Sequence, residues 1–309
     1  MKILVLGAGA LGGYFGARLL EIGRDVTFLV RPGRAAQLKS DGLVVKSRKG
    51  DAHIANPPTI QAGDLAGQKC DVVILSCKAY DLDSALDAIA PAVAGGAAVL
   101  PLLNGMRHLD VMDARFGAAA ILGGRCNIAA TLDANGTVRH LSDFADIIFG
   151  ERDGSTSPRV LAIADAMTGA NYNGRATDVI MQEMWEKWVM LATMAASNCL
   201  FRGPVGDILA GGGGGHVLAM LDETIAVAAR AGHRPRAKAE EAVRATLTTV
   251  GSVFGASMLR DLESGGRVEA DHVVGDMIAR AGGAPTPMLS LAYAVLKTYE
   301  ARKAREAKG

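Results

Sequence analysis

The stretch KILVLGAGALG, residues 2–12, decides the fold that this sequence predicts. Its first five residues form an apolar run typical of a buried strand, and a helical pattern follows the glycines. Gly7, Gly9 and Gly12 have the spacing G-x-G-x-x-G, which permits a tight turn, approach of a pyrophosphate and close helix–strand packing, in that order. The residues of this predicted dinucleotide site are Gly7, Ala8, Gly9, Ala10, Leu11 and Gly12. The alternative is a glycine-rich turn that binds no ligand.

The rest of the first half alternates short apolar runs with helical patterns, which predicts a parallel sheet with helices on both faces. The predicted strands are residues 2–6, 26–30, 72–76 and 98–103, and the predicted helices are residues 11–22 and 82–89. Three later β-rich segments, residues 121–131, 137–141 and 146–149, lack strong helical patterns between them. We expect these segments to extend the same sheet with antiparallel strands.

The second half has an almost continuous helical pattern. We place the domain boundary at Asn173, which predicts a nucleotide-binding domain at residues 1–173 and a helical domain at residues 174–309. The five consecutive glycines Gly211–Gly215 predict a flexible loop or a break between two helices. The predicted fold class is α/β, with an amino-terminal Rossmann-type parallel-sheet domain followed by an all-helical carboxy-terminal domain.

The composition excludes several classes of function. The 309-residue chain is 50% hydrophobic and 21% charged, so it can bury a sizeable core. Its formal charge of +1 gives no support to a nucleic-acid or membrane partner. Four cysteines without a CxxC pair and six scattered histidines predict neither a metal site nor a disulfide framework. Because the amino terminus carries no signal-peptide pattern, we expect a cytoplasmic protein.

The end of the second predicted strand indicates which dinucleotide binds. An NAD site usually carries Asp or Glu there for the ribose 2′-hydroxyl, whereas this chain has Arg31, nineteen residues after Gly12. A guanidinium suits a 2′-phosphate, so the sequence favours NADP(H); a solvated loop charge is the alternative. Lys78 follows another predicted strand and would stand at the same ligand-binding edge, unless it is an ordinary surface lysine.

Two further residues are candidates for catalysis. Lys187 falls inside the apolar stripe of a predicted helix, where a lysine is either desolvated or directed into a cleft. A surface pair with Glu183, four residues earlier, is the alternative. Asn104 follows an apolar strand, but the dipeptide Asn104-Gly105 is also a common turn.

Five motifs, in their order and spacing, resemble those of the 2-dehydropantoate 2-reductase (ketopantoate reductase) family over nearly the whole chain. They are Gly7–Gly12, Ser76-Cys77-Lys78-Ala79, Asn104-Gly105-Met106, Trp185-Glu186-Lys187 and Ala256-Ser257-Met258-Leu259-Arg260-Asp261. The resemblance implies an NADPH-dependent oxidoreductase with an NADP-binding Rossmann domain and a helical substrate-binding domain. The implied substrate is a small-molecule 2-oxo acid, and the implied reaction is reduction of 2-dehydropantoate to pantoate in pantothenate biosynthesis.

The resemblance also implies roles for individual residues. Lys187 would bind the ketone oxygen and donate the proton. Asn104 would lie between cofactor and substrate and position the carbonyl group and the lysine. Ser257 would hold the substrate carboxylate, and Glu269 would orient the hydroxyl end of the substrate and the lysine. Taken alone, Ser257 could be a hydroxyl bonded to backbone, and Glu269 a first-turn acid favoured by the helix dipole. The residues assigned to the cofactor are Gly7–Gly12, Arg31, Lys78 and Asn104.

One departure from the family concerns the substrate. Members suited to ketopantoate tend to carry Asn four and eight residues after the lysine, where this chain has Leu191 and Ala195. Asn198, eleven residues after the lysine, is the nearby amide and our candidate substrate contact. The particular 2-oxo acid therefore stays open: reduction of a different branched 2-oxo acid is one alternative, and a non-catalytic NADP-binding sensor is another. The oligomeric state, including a homodimer, also stays open at this stage.

Overall fold

The apolar run at the amino terminus forms β1 (Lys2–Leu6), the middle strand of a five-stranded parallel sheet. Ile3, Leu4 and Val5 are buried, as expected for a strand paired on both sides. The strand order is β5 (Thr59–Ile60), β2 (Asp25–Leu29), β1, β6 (Val72–Leu75) and β7 (Ala98–Pro101). The accompanying helices are α1 (Ala10–Glu21), α2 (Pro32–Asp41), α3 (Leu82–Ala94), α4 (Arg107–Phe116) and α5 (Pro158–Met167). The predicted parallel sheet is confirmed.

The order of the strands fixes where a ligand can bind. The chain adds β2 and β5 on one side of β1, and then adds β6 and β7 on the other side. Strand order therefore reverses between β1 and β6. In open α/β sheets the ligand crevice lies outside the carboxyl ends of the strands at such a reversal. The glycine-rich loop after β1 starts from this point.

The later β-rich segments form a second sheet, so the prediction that they extend the first sheet is wrong. β9 (Val138–Gly150) is long enough to pair antiparallel with β8 (Gly123–Leu132) along one edge and parallel with two further strands along the other. These two strands are β3 (Leu43–Ser47) and β10 (Asn173–Ala176), and β4 (Ala52–Ile54) completes the sheet beside β3. An isolated parallel bridge joins Val99 of β7 to Ile121, two residues before β8.

The computed structural model describes residues Met1–Ala307, which divide into two compact units. The first contains Met1–Leu103 and His108–Ile180, and the second contains Asn104–Arg107 and the residues from Met181 onward. The first unit therefore extends beyond the boundary placed at Asn173, because β10 starts there and pairs with β9.

The second unit is helical. Its elements are α6 (Ile180–Phe201), α7 (Val205–Ala210), α8 (Gly214–Arg230), α9 (Ala237–Leu247), α10 (Ser257–Glu263), α11 (Asp276–Arg280) and α12 (Pro287–Glu306). A single π-helical turn, Asp271–Gly275, leads directly into α11. Across residues 1–307, we find no helix whose length and apolar character would let it cross a membrane.

The run Gly211–Gly215 interrupts the helical pattern, so the predicted break is confirmed; it is a compact turn between α7 and α8. Gly212 has a φ of +81°, and Gly214 and Gly215 already belong to the first turn of α8. A Cβ on Gly213 would lie 2.6 Å from the side chain of Ile208, so the glycines let α7 and α8 pack closely. Glycine at a helix end costs less than in its interior, because the end is partly unconstrained.

Candidate active site

The glycine-rich loop borders a pocket of about 620 Å³ at the carboxyl ends of β1, β2 and β6. Gly7 has a φ of +86°, and a Cβ on Gly12 would lie 2.1 Å from the Gly7 carbonyl oxygen. Both positions therefore require glycine. A Cβ on Gly9 would contact nothing within 4 Å, which leaves open space beside the backbone. This is the cradle that a pyrophosphate needs at the start of α1.

Two arginines line the pocket after β2 and have different surroundings: Arg31 directly precedes α2, and Arg34 lies in its first turn. Arg31 is 77% exposed, and its guanidinium lies 3.5 Å from the Asp81 carboxylate. Arg34 donates to the carbonyl oxygen of Ala8 through Nε at 3.0 Å and through a terminal nitrogen at 2.8 Å. It also donates to Gly136 in the β8–β9 turn. Arg34 thus holds the glycine-rich loop in place, a role that the sequence analysis missed.

At the end of β6 the chain turns toward the same pocket. Ser76 donates from its hydroxyl to the Leu6 carbonyl oxygen at 2.8 Å, which ties the ends of β6 and β1 together. Ser76, Cys77 and Asp81 line the pocket. Lys78 is half-buried at the start of the short 3₁₀ turn Ala79–Asp81, beside these residues but outside the pocket lining.

The helical unit brings Lys187 and Asn104 together. Lys187 Nζ donates to Asn104 Oδ1 at 3.0 Å, although 83 residues separate the two in sequence. Gly105 has a φ of +78°, and a Cβ there would lie 2.5 Å from the His272 carbonyl oxygen. Glycine therefore lets the Asn104-Gly105 turn pack directly against the backbone of the π-helical turn, which holds the asparagine in place. Trp188 supports the same turn by donating from Nε1 to the Val273 carbonyl oxygen at 3.0 Å. The turn that carries Asn104 therefore rests on the π-helical turn, and so does Trp188, the residue after the lysine.

Glu269 lies two residues before the π-helical turn and is 8% exposed. Its backbone carbonyl accepts from Val273 at 3.0 Å. Burial lowers the pKa of His272, Arg107 lowers it further, and the negative charge of Glu269 acts in the opposite direction. Because its pKa is lowered from an ordinary value that is already below 7, His272 is uncharged at neutral pH.

Asn198 does not present its amide as predicted. It is fully buried; Nδ2 donates to the Gly203 carbonyl oxygen at 2.8 Å, and Oδ1 accepts from the Ala256 N–H at 2.9 Å. The amide therefore serves two backbone segments and carries no contact offered to a substrate. Because Ala256 precedes Ser257, the half-buried first residue of α10, Asn198 instead positions that serine.

The arrangement suits chemistry at an oxygen atom. An ammonium group held beside an amide can bind a carbonyl oxygen, donate a proton to it and stabilise the negative charge that develops. Within residues 1–307, no group of three or more His, Cys, Asp or Glu side chains could hold a metal ion.

Comparison with known proteins agrees with this geometry. The sequence profile described as "Ketopantoate reductase PanE/ApbA" matches residues 3–154, and its carboxy-terminal counterpart matches residues 179–300. The chain belongs to the ketopantoate reductase family. It is accordingly an oxidoreductase of the 2-dehydropantoate 2-reductase type. The family that its five motifs predicted is confirmed.

Three known proteins describe the family context. The "Uncharacterized oxidoreductase YkpB" of Bacillus subtilis (strain 168) is 38% identical over 98% of this chain and 100% of its own. The crystal structure of 2-dehydropantoate 2-reductase from Methylococcus capsulatus is 28% identical, with a TM-score of 0.86 over 98% of both chains. D-mandelate dehydrogenase, solved with NADH and anilino(oxo)acetate, also has a TM-score of 0.86 over 98% of this chain and 100% of its own, at 20% identity. That likeness shows the ketopantoate reductase fold alone.

We expect Gly105→Ala to destabilise this ketopantoate reductase-family protein more than alanine does at a glycine where the positive φ is the only obstacle. Gly232, with a φ of +82° and nothing within 4 Å of its Cβ position, is the matched control. Gly232→Ala should lower the free energy of unfolding by about 1–2 kcal/mol. Gly105→Ala should lower it by about 2 kcal/mol more, because its Cβ meets a backbone oxygen. Denaturant unfolding measures both, and equal losses would show that Asn104-Gly105 does not rest on the π-helical turn.

Proposed function

We propose that this protein reduces a 2-oxo acid to a 2-hydroxy acid with NADPH, and that 2-dehydropantoate is its substrate. The observation that carries the proposal is the contact of 3.0 Å between Lys187 Nζ and Asn104 Oδ1. A protein that only senses NADP would need no ammonium group held beside an amide, so the pair argues against a non-catalytic role. The 2-dehydropantoate 2-reductase from Methylococcus capsulatus, 28% identical over 98% of both chains, supports the choice of substrate.

Lys187 is the proton donor in this proposal. When NADPH is bound, it supplies the hydride for the carbonyl carbon. The Lys187 ammonium group donates a hydrogen bond to the carbonyl oxygen and then transfers its proton there. Asn104 accepts from the same ammonium group, which limits its motion and keeps the donor aligned. The positive charge also stabilises the oxygen while its negative charge develops.

Ser257 and Glu269 would hold the two ends of the substrate. The Ser257 hydroxyl is a donor suited to a carboxylate, and Asn198 fixes its backbone through Ala256. The Glu269 carboxylate is an acceptor suited to the substrate hydroxyl. Its low exposure makes such a hydrogen bond stronger than it would be in water.

We assign the pocket beside β1 to a dinucleotide with a 2′-phosphate. Open space at Gly9 accommodates the pyrophosphate at the start of α1, and Arg31 lines the pocket after β2. We assign Arg31 to the 2′-phosphate and the half-buried Lys78 to the cofactor beside it. Because D-mandelate dehydrogenase shares this fold and is described with NADH, the fold leaves both cofactors open and Arg31 carries the choice of NADPH.

The wall of α6 beside Lys187 is apolar and bears on the substrate. Leu191 and Ala195 lie one and two turns after the lysine, and Ala195 is buried. Neither side chain can bond the hydroxyl of 2-dehydropantoate, and Asn198 is committed to backbone. A branched 2-oxo acid without the hydroxyl is therefore the second candidate substrate.

We expect Lys187→Ala to lower kcat for 2-dehydropantoate by about 10²-fold or more, because the proton donor and its charge are lost. Lys187→Arg should stay impaired, since arginine keeps the charge but holds its proton too tightly. Lys238→Ala, at an exposed position on α9, is the control and should keep full activity. NADPH oxidation measures all three. Full activity of Lys187→Ala would falsify the assignment.

We expect Arg31→Ala to weaken NADPH binding by about tenfold and to leave NADH binding nearly unchanged. A charge-assisted contact is worth about 1.5–3 kcal/mol, and the exposure of Arg31 places it at the low end. Arg48→Ala removes an equally exposed arginine outside the pocket and should change neither affinity. Fluorescence titration with both cofactors makes the measurement. Equal losses for NADPH and NADH would show that Arg31 does not contact the 2′-phosphate.

We expect the protein to discriminate weakly between 2-dehydropantoate and 2-oxoisovalerate, with kcat/KM values within about tenfold. A pocket that hydrogen-bonds the hydroxyl well would give a ratio above about 10³. Leu191→Asn should increase the preference for 2-dehydropantoate, because it supplies an amide one turn from the lysine. A native ratio above about 10³ would instead mean that Glu269 alone recognises the hydroxyl strongly, without a partner from α6.

A further inference from the structure

The pocket beside β1 contains an opposite charge next to Arg31. Among its described lining residues three are charged, namely Arg31, Arg34 and Asp81. Arg34 is engaged with Ala8 and Gly136, so its position is fixed by the backbone. The Asp81 carboxylate lies 3.5 Å from the Arg31 guanidinium, and the two side chains are 37% and 77% exposed. A ligand that reaches Arg31 therefore also meets Asp81.

The fold does not require a carboxylate at position 81. Asp81 is the residue before α3, but its side chain makes no capping hydrogen bond there. Its backbone carbonyl accepts from the Ser84 hydroxyl, a contact that any residue could supply. The side-chain contact that the structure shows is the pair with Arg31.

We propose that Asp81 determines cofactor specificity by competing with the 2′-phosphate for Arg31, which reduces the preference for NADPH over NADH. The inference rests on the proposed use of Arg31 for NADPH. A 2′-phosphate carries close to two negative charges at neutral pH. To contact Arg31 it must separate the ion pair or bind beside a like charge, and both weaken its binding.

The Arg31–Asp81 pair does not disfavour NADH in this way. Its ribose 2′-hydroxyl is uncharged, so it leaves the Arg31–Asp81 pair intact. A carboxylate near that hydroxyl is also the acceptor that NAD sites use. Arg31 and Asp81 therefore act in opposite directions on the choice of cofactor, and the measured preference is the difference between their effects.

The test is Asp81→Asn, which keeps the size of the side chain and removes its charge. Asparagine is as good as aspartate before a helix, so the fold should be unaffected. Asp83→Asn, two residues further at an exposed position in the first turn of α3, makes the same charge change outside the pocket lining. Fluorescence titration of the purified protein with NADPH and NADH gives the four dissociation constants to compare. We expect Asp81→Asn to bind NADPH about three- to tenfold more tightly than Asp83→Asn, with no gain for NADH.

The same substitution in an Arg31→Ala background tests the route. If Asp81 acts through Arg31, Asp81→Asn should change the logarithm of the NADPH dissociation constant in the Arg31→Ala background by less than half as much as it does in the native background. A gain that persists in full, a gain shared equally by NADPH and NADH, or no difference from Asp83→Asn would each overturn the proposal. A native protein that binds neither cofactor would instead overturn the proposed function, so the two failures are distinguishable.

Discussion

The first unit depends on how closely α1 can approach β1. A Cβ on Gly12 would lie 2.1 Å from the Gly7 carbonyl oxygen and 2.5 Å from Ser76 Oγ, so a larger residue would lift the helix off the strand. Because the helix lies so near the strand, its first N–H groups stand at the carboxyl end of the sheet. Arg34 then fixes the intervening loop through the Ala8 carbonyl. One packing distance thus sets the geometry of the nucleotide pocket.

In the helical unit, close backbone approach at a glycine positions the catalytic candidates Asn104 and Lys187. Gly105 brings the Asn104 backbone against the His272 carbonyl, and Trp188 bonds the next carbonyl of the same turn. Backbone contacts of this kind hold a position more rigidly than a long side chain can. Lys187 is flexible by itself, so a fixed Asn104 partner is what confines its ammonium group.

The parts of the fold that could be predicted from sequence are those that depend on neighbouring residues. The glycine loop, the apolar strands and the helices of both halves have local patterns. The strands β8 and β9 have such patterns too, but their pairing into a second sheet does not follow from them, because β9 takes partners from distant parts of the chain. For the same reason the sequence presented Asn198 as an available amide, although Gly203 and Ala256 use both of its ends. The pairing of Arg31 with Asp81 also depends on tertiary structure.

The length of β9 has a consequence for the order in which the first unit assembles. Val45 of β3 pairs with Val138, about ninety residues further along the chain, whereas β8 and β9 are neighbours. The β8–β9 hairpin can close locally, but β3 must wait for it, because long-range pairing is slow to find. On the ribosome, the edge of β3 that pairs with β9 therefore stays unpaired while the roughly ninety residues between the two strands, about a third of the chain, are synthesised. During that time the exposed edge is most prone to pair with a wrong strand. Lys46 within β3 and Arg48 and Lys49 just after it are the kind of charges that discourage such pairing.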